Sequence, residues 1–113
     1  MDDLFLKIIN KEIPANIIFE DEDILAFEDI NPQAPTHILI IPKKHIAKLS
    51  DADISDQKLL GHMLIKANEI AASLKLDNTF RLVINNGANA GQSVFHLHML
   101  SLIHISEPTR LSV

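Results

Sequence analysis

The sequence predicts an α+β domain: a mostly antiparallel, five-stranded sheet with one long helix and a short N-terminal helix. Three observations carry this prediction. Two segments repeat apolar residues at helical spacing. Five short runs have strand character. Residues that favour turns separate these segments. The order helix, strands, long helix, strands is typical of the α+β class.

The N-terminal half begins with a helix and continues with strands. Two strand-like runs, 16–20 and 24–28, are joined by the acidic turn DED. Residues 37–41 (HILII) are apolar and rich in β-branched side chains, which predicts a central strand that ends at Pro42. The N-terminal helix precedes Pro14 and is predicted from Leu4, Phe5, Ile8 and Ile9.

The C-terminal half contains the long helix, predicted over residues 55–74 with Asp53 or Ser55 as its cap. A short strand is predicted at 81–84, and a last strand with alternating faces at 93–99. The helix is predicted from the apolar residues Leu59, Met63, Leu64, Ala67, Ile70, Ala71 and Leu74.

Length and composition exclude several classes of protein. The 113 residues are enough for one domain, and 47% of them are apolar, which favours a packed globule. A net charge of −5 argues against nucleic acid or an anionic membrane as a partner. The chain has no cysteine, hence no disulfide and no thiolate metal site. With no signal-like start and no long apolar run, a soluble cytoplasmic protein is expected.

Two histidines of the last predicted strand are the candidate centre of chemistry. Alternate residues of a strand share a face, so His96 and His98 would lie together, about 7 Å apart. The preceding segment 85–93 contains Gly87 and Gly91, whose backbone N–H groups could cradle an oxyanion. Histidines facing such a loop suit phosphoryl or nucleotidyl transfer.

Two other interpretations of this histidine pair remain open. Strand histidines are commonly buried polar residues with a hydrogen-bond partner. A metal site is also conceivable, with His37 as a third ligand beside His96 and His98, although no cysteine or nearby carboxylate completes it. We predict no metal.

The run GQSVFHLHM resembles the signature of the histidine triad (HIT) family, His-φ-His-φ-His-φ-φ with φ apolar. The resemblance extends over residues 4–99. It is closest to the Hint-type branch, through the stretches KEIPA (11–15), FEDINPQAPTH (27–37) and IPKKH (41–45).

The resemblance implies a purine nucleoside phosphoramidase or nucleotidyl hydrolase that forms a covalent nucleotidyl-histidine. His98 resembles the nucleophile. The backbone carbonyl of His96 resembles the group that fixes the tautomer of this nucleophile. His37 resembles a polar residue near the nucleophile. A homodimer with metal-independent chemistry and no cofactor is implied.

The resemblance also implies a nucleotide pocket. Gln92, Ser93 and Asn85 match positions near the α-phosphate, and Asp29 matches the carboxylate that holds the ribose hydroxyls. The apolar residues around the purine correspond to Leu4, Phe5, Ile8, Phe27 and Ile30.

Each of these residues also has a plain structural interpretation. The apolar residues could be core alone. Asp29 could be the first residue of an Asx turn. Asn85 and Ser93 could form hydrogen bonds with the backbone of their own loop. We expect His45, beside two lysines, and His62, on the long helix, to be surface residues.

The sequence departs from the HIT signature after Met99. Leu100 stands where the third histidine belongs. Residues 100–110 (LSLIHISEPTR) match the translation of a sequencing-library transposon adaptor, so we predict a truncated HIT domain at 1–99 and a non-native tail at 100–113. A genuine tail could instead extend the strand. His104 lies about 20 Å beyond His98 along a strand, too far to replace the missing imidazole. Loss of one transition-state donor costs about 10²–10³ in rate, so we expect nucleotide binding with poor turnover.

Overall fold

The structure, a computed structural model, describes residues 4–29, 36–74 and 79–103. Its helices are α1 (Leu4–Ile9) and α2 (Gln57–Ser73). Its strands are β1 (Ile17–Glu20), β2 (Ile24–Glu28), β3 (Thr36–Pro42), β4 (Arg81–Val83) and β5 (Met99–Ile103). The strands pair antiparallel in the order β1-β2-β3-β5-β4. The predicted α+β class, with an antiparallel sheet and a long helix, is confirmed.

The sheet buries both of its faces because β2 and β3 are apolar at successive positions, not only at alternate ones. One face packs against α2 through Ile24, Ala26, Ile38, Ile40, Met63, Ala67, Ile70 and Met99. The other face packs against α1 through Phe5, Ile8, Leu25, Phe27, Leu39 and Ile41. His37 has the parity of Leu39 and Ile41, so it belongs to the α1 face.

The long helix begins two residues later than predicted, because a 3₁₀ turn (Ile54–Asp56) precedes it. Asp53 caps this turn: its carboxylate accepts a hydrogen bond from the backbone N–H of Ser55. The Asp56 carboxylate accepts one in return from the backbone N–H of Asp53. The reciprocal pair is a capping box, and it fixes where the chain enters α2.

The predicted strand over residues 93–99 is wrong, since β5 begins only at Met99. The register pairs Met99 with Ile40, and β3 ends two residues later at Pro42, which has no N–H to donate to a ladder. The backbone N–H of Leu97 instead donates to the carbonyl of Ile46 at 2.6 Å. The two histidines therefore lie on an irregular segment just before the strand.

Part of the predicted non-native tail, residues 100–113, lies inside the sheet. Residues 100–103 belong to β5, and Leu100 pairs with Leu39 of β3 and with Val83 of β4. Residues 104–113 and the predicted pocket residue Ile30 lie outside the described residues. Within the described ranges, neither helix is long and apolar enough to cross a bilayer.

Candidate functional site

His98 is held by a hydrogen bond to the residue two before it. Its Nδ1 lies 2.9 Å from the backbone carbonyl of His96. A carbonyl can only accept, so Nδ1 carries the proton. In the neutral imidazole Nε2 then has the lone pair, and a nitrogen in this state can attack an electrophile. The residue is 8% exposed, which limits its access to water.

His96 is buried, and both of its ring nitrogens have partners. Nε2 lies 2.7 Å from the carbonyl of Pro42, so it carries the proton. Nδ1 lies 3.3 Å from Nδ1 of His45. Burial lowers the pKa of His96, an effect that the hydrogen bond to Pro42 opposes and the nearby His45 and His98 reinforce. Because both nitrogens are engaged, His96 is a poor candidate for a metal ligand.

Phe5 connects α1 to both histidines. Its ring meets the His98 ring edge to face at 5.1 Å between centroids, and the His96 ring at 6.0 Å. Phe27 packs edge to face against Phe5 at 5.8 Å. Phe5, Ile8 and Phe27 are almost fully buried and belong to the core cluster on this face, while Leu4 is half-buried at its edge. Helix α1 therefore forms an apolar wall beside the imidazoles.

The glycine loop before the histidines is a 3₁₀ turn (Ala88–Ala90) between two glycines with positive φ. Gly87 has φ 92° and Gly91 has φ 99°, a region that side chains with a Cβ rarely adopt. The loop is closed by hydrogen bonds from the N–H groups of Ala90 and Gln92 to the carbonyl of Gly87. The sequence predicted a turn here, and the two glycines explain its shape.

Gln92 supports this loop from inside. Its Oε1 accepts from the N–H of Gly87 at 2.7 Å, and its Nε2 donates to the carbonyls of Ala47 and Val94. The side chain is buried, so these bonds engage both of its amide hydrogens. The structure thus places Gln92 as a brace of the loop, with its amide turned into the protein.

The segment after β3, which the sequence showed only as a polar connection, is tied to the glycine loop along its length. Ile46 accepts from Leu97, Ala47 accepts from Gln92, and the N–H of Ser50 donates to the side chain of Asn86 at 2.7 Å. Together with the His45–His96 contact, these bonds hold the glycine loop and the histidine segment against residues 45–50.

The other predicted nucleotide-binding residues within the described ranges differ in their exposure and contacts. Ser93 is exposed, immediately before the histidine segment. Asn85 is half-buried, and its side chain lies near Gly91, where an added Cβ would be 3.8 Å from its Nδ2. Asp29 and His37 face each other, with Oδ2 and Nε2 3.4 Å apart. Burial lowers the pKa of His37, and the Asp29 carboxylate opposes this.

A separate group of possible metal ligands lies away from these histidines, and the sequence did not indicate it. Asp21, Asp23 and His62 each bring one ligand atom within 4.8 Å of the others. Nε2 of His62 bonds Oδ2 of Asp21 at 2.7 Å, and Oδ1 of Asp21 accepts from the backbone of Asp23 and Ile24. The hydrogen bond between His62 and Asp21 and an Asx turn account for this cluster.

The two buried histidines predict how stability depends on pH. Because the folded-state pKa values of His37 and His96 are lowered from 6.5, the unfolded chain binds more protons below that pH. Their contribution is complete above pH 6.5 and is lost as the pH falls through the lowered values. We expect urea unfolding to give a smaller free energy at pH 5.5 than at 7.5. A flat or rising free energy towards pH 5.5 would contradict this.

The four described carboxylates with a lowered pKa do not interfere in that pH range. The pKa values of Glu20, Asp21, Asp53 and Asp56 are lowered from about 4, by bonds to lysine, to histidine, to Ser55 or to the backbone. Their contribution to stability is complete above their unfolded values and is lost only as the pH falls through the lowered ones.

The sequence and the fold are similar to those of known proteins. The HIT domain family model matches residues 10–105. An uncharacterized HIT-like protein of Synechocystis sp. is 59% identical over 98 residues, 87% of this chain and 86% of the relative. The crystal structure of a HIT family hydrolase from Legionella pneumophila is 51% identical with a TM-score of 0.85, over 88% of this chain and 89% of that one. A histidine triad nucleotide-binding protein from Candida albicans is 35% identical with a TM-score of 0.79, over 87% and 71%. The family model and the 59% identical relative both cover well over half of the sequence, and the chain therefore belongs to the HIT domain family.

Proposed function

We propose that this chain is a nucleotide-binding hydrolase that cleaves purine nucleoside phosphoramidates or related nucleotidyl conjugates, as in the Hint-type branch of the family. The observation that carries the proposal is the hydrogen bond from Nδ1 of His98 to the carbonyl of His96. It leaves Nε2 of a shielded imidazole as the atom with a lone pair. Similar proteins described as a HIT family hydrolase and as a histidine triad nucleotide-binding protein support it.

The proposed reaction has two steps. Nε2 of His98 attacks the α-phosphorus, the phosphorus–nitrogen bond breaks, and the amine leaves with a proton taken from solvent. Water then attacks the nucleotidyl-histidine and releases the nucleoside monophosphate and the free imidazole. The Ser93 hydroxyl and backbone N–H groups of the glycine loop would stabilise charge on the non-bridging oxygens. Asp29 would hold the ribose hydroxyls, beside the wall formed by Phe5.

A non-catalytic nucleotide-binding protein is the second candidate, and Leu100 favours it. A chain that retains His98 and the apolar wall formed by α1, but lacks the third histidine, could bind a nucleotide and turn it over slowly. A metal-binding function through His37, His96 and His98 has less support, because His96 already uses both ring nitrogens.

Trapping of the intermediate tests the proposal. The protein is mixed with an adenosine phosphoramidate, and intact mass is read over time. We expect a mass increase of one adenylyl group, located by peptide mapping on His98. Nucleotide binding in calorimetry without any adduct would favour the second candidate. Stabilisation by a divalent metal, without nucleotide binding, would overturn both in favour of a metal-binding protein.

Location, oligomeric state and the origin of residues 100–113 are proposed as well. We propose a cytoplasmic homodimer, to which the exposed apolar Leu64 and Ile65 on α2 lend support. We also propose that residues 100–113 derive from adaptor sequence, because eleven consecutive residues match its translation. Sequencing the source gene across codon 100 decides this last point.

A further inference from the structure

The glycine loop begins with the pair Asn86–Gly87, the one place in the sequence where asparagine is followed directly by glycine. Asn86 is exposed. Gly87 has a φ of 92°, and apart from its chain neighbours no described atom lies within 4 Å of the position that a Cβ would take there. No side chain of its own therefore blocks the approach to the backbone nitrogen of Gly87.

An asparagine in this setting can lose its amide without an enzyme, and asparagine is among the thermolabile residue types. The backbone nitrogen of Gly87 attacks Cγ of Asn86, a carbon–nitrogen bond forms, and the side-chain amide leaves as ammonia with the proton of the Gly87 N–H. Water then opens the cyclic imide on either side of its nitrogen. One opening gives aspartate. The other gives isoaspartate, in which the main chain runs through the former side chain.

Each reacting group is anchored to a different partner in the folded chain. Oδ1 of Asn86 accepts from the backbone N–H of Ser50 at 2.7 Å, which fixes the direction of the side-chain amide. The N–H of Gly87 donates to Oε1 of Gln92, also at 2.7 Å. Gln92 is buried, and its neutral amide oxygen accepts a hydrogen bond without removing the proton.

We propose that Asn86 is a site of spontaneous deamidation, and that Gln92 restrains the reaction as long as the chain is folded. The proton that the Gly87 nitrogen must lose is the one that Gln92 holds. This inference goes beyond the proposed hydrolase, because the reaction needs neither a nucleotide nor turnover.

The restraint is firm because Gln92 is itself fixed. Its Nε2 donates to the carbonyls of Ala47 and Val94, so Oε1 cannot turn away from Gly87 without loss of these bonds. Attack therefore requires at least the release of one hydrogen bond, which corresponds to a rate about five- to tenfold lower in the folded chain than in the unfolded one.

Isoaspartate would damage the loop more than aspartate would. A carboxylate at position 86 can still accept from the N–H of Ser50. Isoaspartate instead adds a carbon to the main chain and displaces Gly87, whose carbonyl accepts from the N–H groups of Ala90 and Gln92. In the isoaspartyl chain these two amides should lose their protection from hydrogen exchange, whereas in Asn86→Asp they should keep it.

Peptide mapping of the full chain tests the proposal. The protein is kept in mildly alkaline buffer, folded or in guanidinium chloride, and the tryptic peptide that begins at Leu82 is followed by mass and by retention, which separate asparagine, aspartate and isoaspartate. We expect product at Asn86 and none at Asn89, an exposed asparagine of the same loop that precedes alanine. The folded chain should react about five- to tenfold more slowly than the denatured one.

Two substitutions and one further measurement isolate the role of Gln92. Gln92→Leu removes the acceptor and should bring the folded rate close to that of the denatured chain. Gln57→Leu is the matched control, because it makes the same change at an exposed glutamine at the start of α2, and it should leave the rate unchanged. Amide hydrogen exchange begins with loss of the same proton, so the Gly87 amide should be protected in the unmodified chain and unprotected in Gln92→Leu.

Several results would overturn the proposal. They are equal reaction at Asn89 and Asn86, equal rates in the folded and denatured chains, an unprotected Gly87 amide in the unmodified chain, or a folded Gln92→Leu protein that reacts at the unmodified rate. If Gln92→Leu does not fold, the two rates and the Gly87 amide of the unmodified chain still decide.

Discussion

Replacing His98 by alanine is expected to abolish the nucleotidyl adduct and to lower phosphoramidate hydrolysis about 10⁴-fold or more, the scale at which enzymes respond to loss of a nucleophile. The reason is that the imidazole is fixed through Nδ1, and alanine offers no atom in place of Nε2. Nucleotide binding should persist. Intact mass detects the adduct, single-turnover kinetics measure the rate of its formation, and calorimetry measures the Kd of the nucleotide.

Two further variants control for loss of structure. His98→Asn keeps a donor for the His96 carbonyl and much of the volume, but has no nucleophilic nitrogen, so it should behave like His98→Ala. His62→Ala removes a histidine from α2 at a distance from this centre and should form the adduct normally. Adduct formation by a folded His98→Ala protein would show that the nucleophile is another residue.

Leu100→His is expected to raise the rate of hydrolysis about 10²–10³-fold, the typical contribution of one transition-state donor. The backbone at position 100 is already paired with Leu39 and Val83 in β5. Position 100 lies opposite Leu39, which belongs to the face of the sheet covered by α1, the helix whose Phe5 contacts the His98 ring. Steady-state kinetics with an adenosine phosphoramidate measure the gain in kcat/KM.

Ser101→His is the matched control, since it places an imidazole one position along the same strand but at the opposite parity. It should give no gain. If Leu100→His were no faster than the unmodified chain, the missing third histidine would not be what limits turnover.

The helices and the first three strands could be predicted from the sequence because their signals are local. Apolar residues four apart, such as Met63 and Ala67, define the buried stripe of α2. The acidic turn between β1 and β2 is a short-range signal of the same kind. Element ends differed by one or two residues, as the 3₁₀ turn before α2 shows.

The geometry around the histidines could not be predicted, because it depends on contacts between distant residues. Alternation of side chains over 93–99 indicated a strand, but Pro42 of β3 ends the ladder opposite this segment. The partners of His96 lie 51 and 54 residues earlier, beyond the reach of any periodicity. The role of Gln92 as a brace was hidden for the same reason, since its distant acceptor is Ala47.

The hydrogen bonds between residues 46–50 and 86–97 have a consequence for how this protein acquires its chemistry. Both segments are irregular, and α2 and β4 separate them along the chain. Closing a loop of that length is entropically costly, and such distant pairings form slowly. Secondary structure can therefore arise before any centre capable of reaction exists. Catalytic competence in this fold is a property of the completed tertiary structure, and it should recover last when the denatured protein refolds.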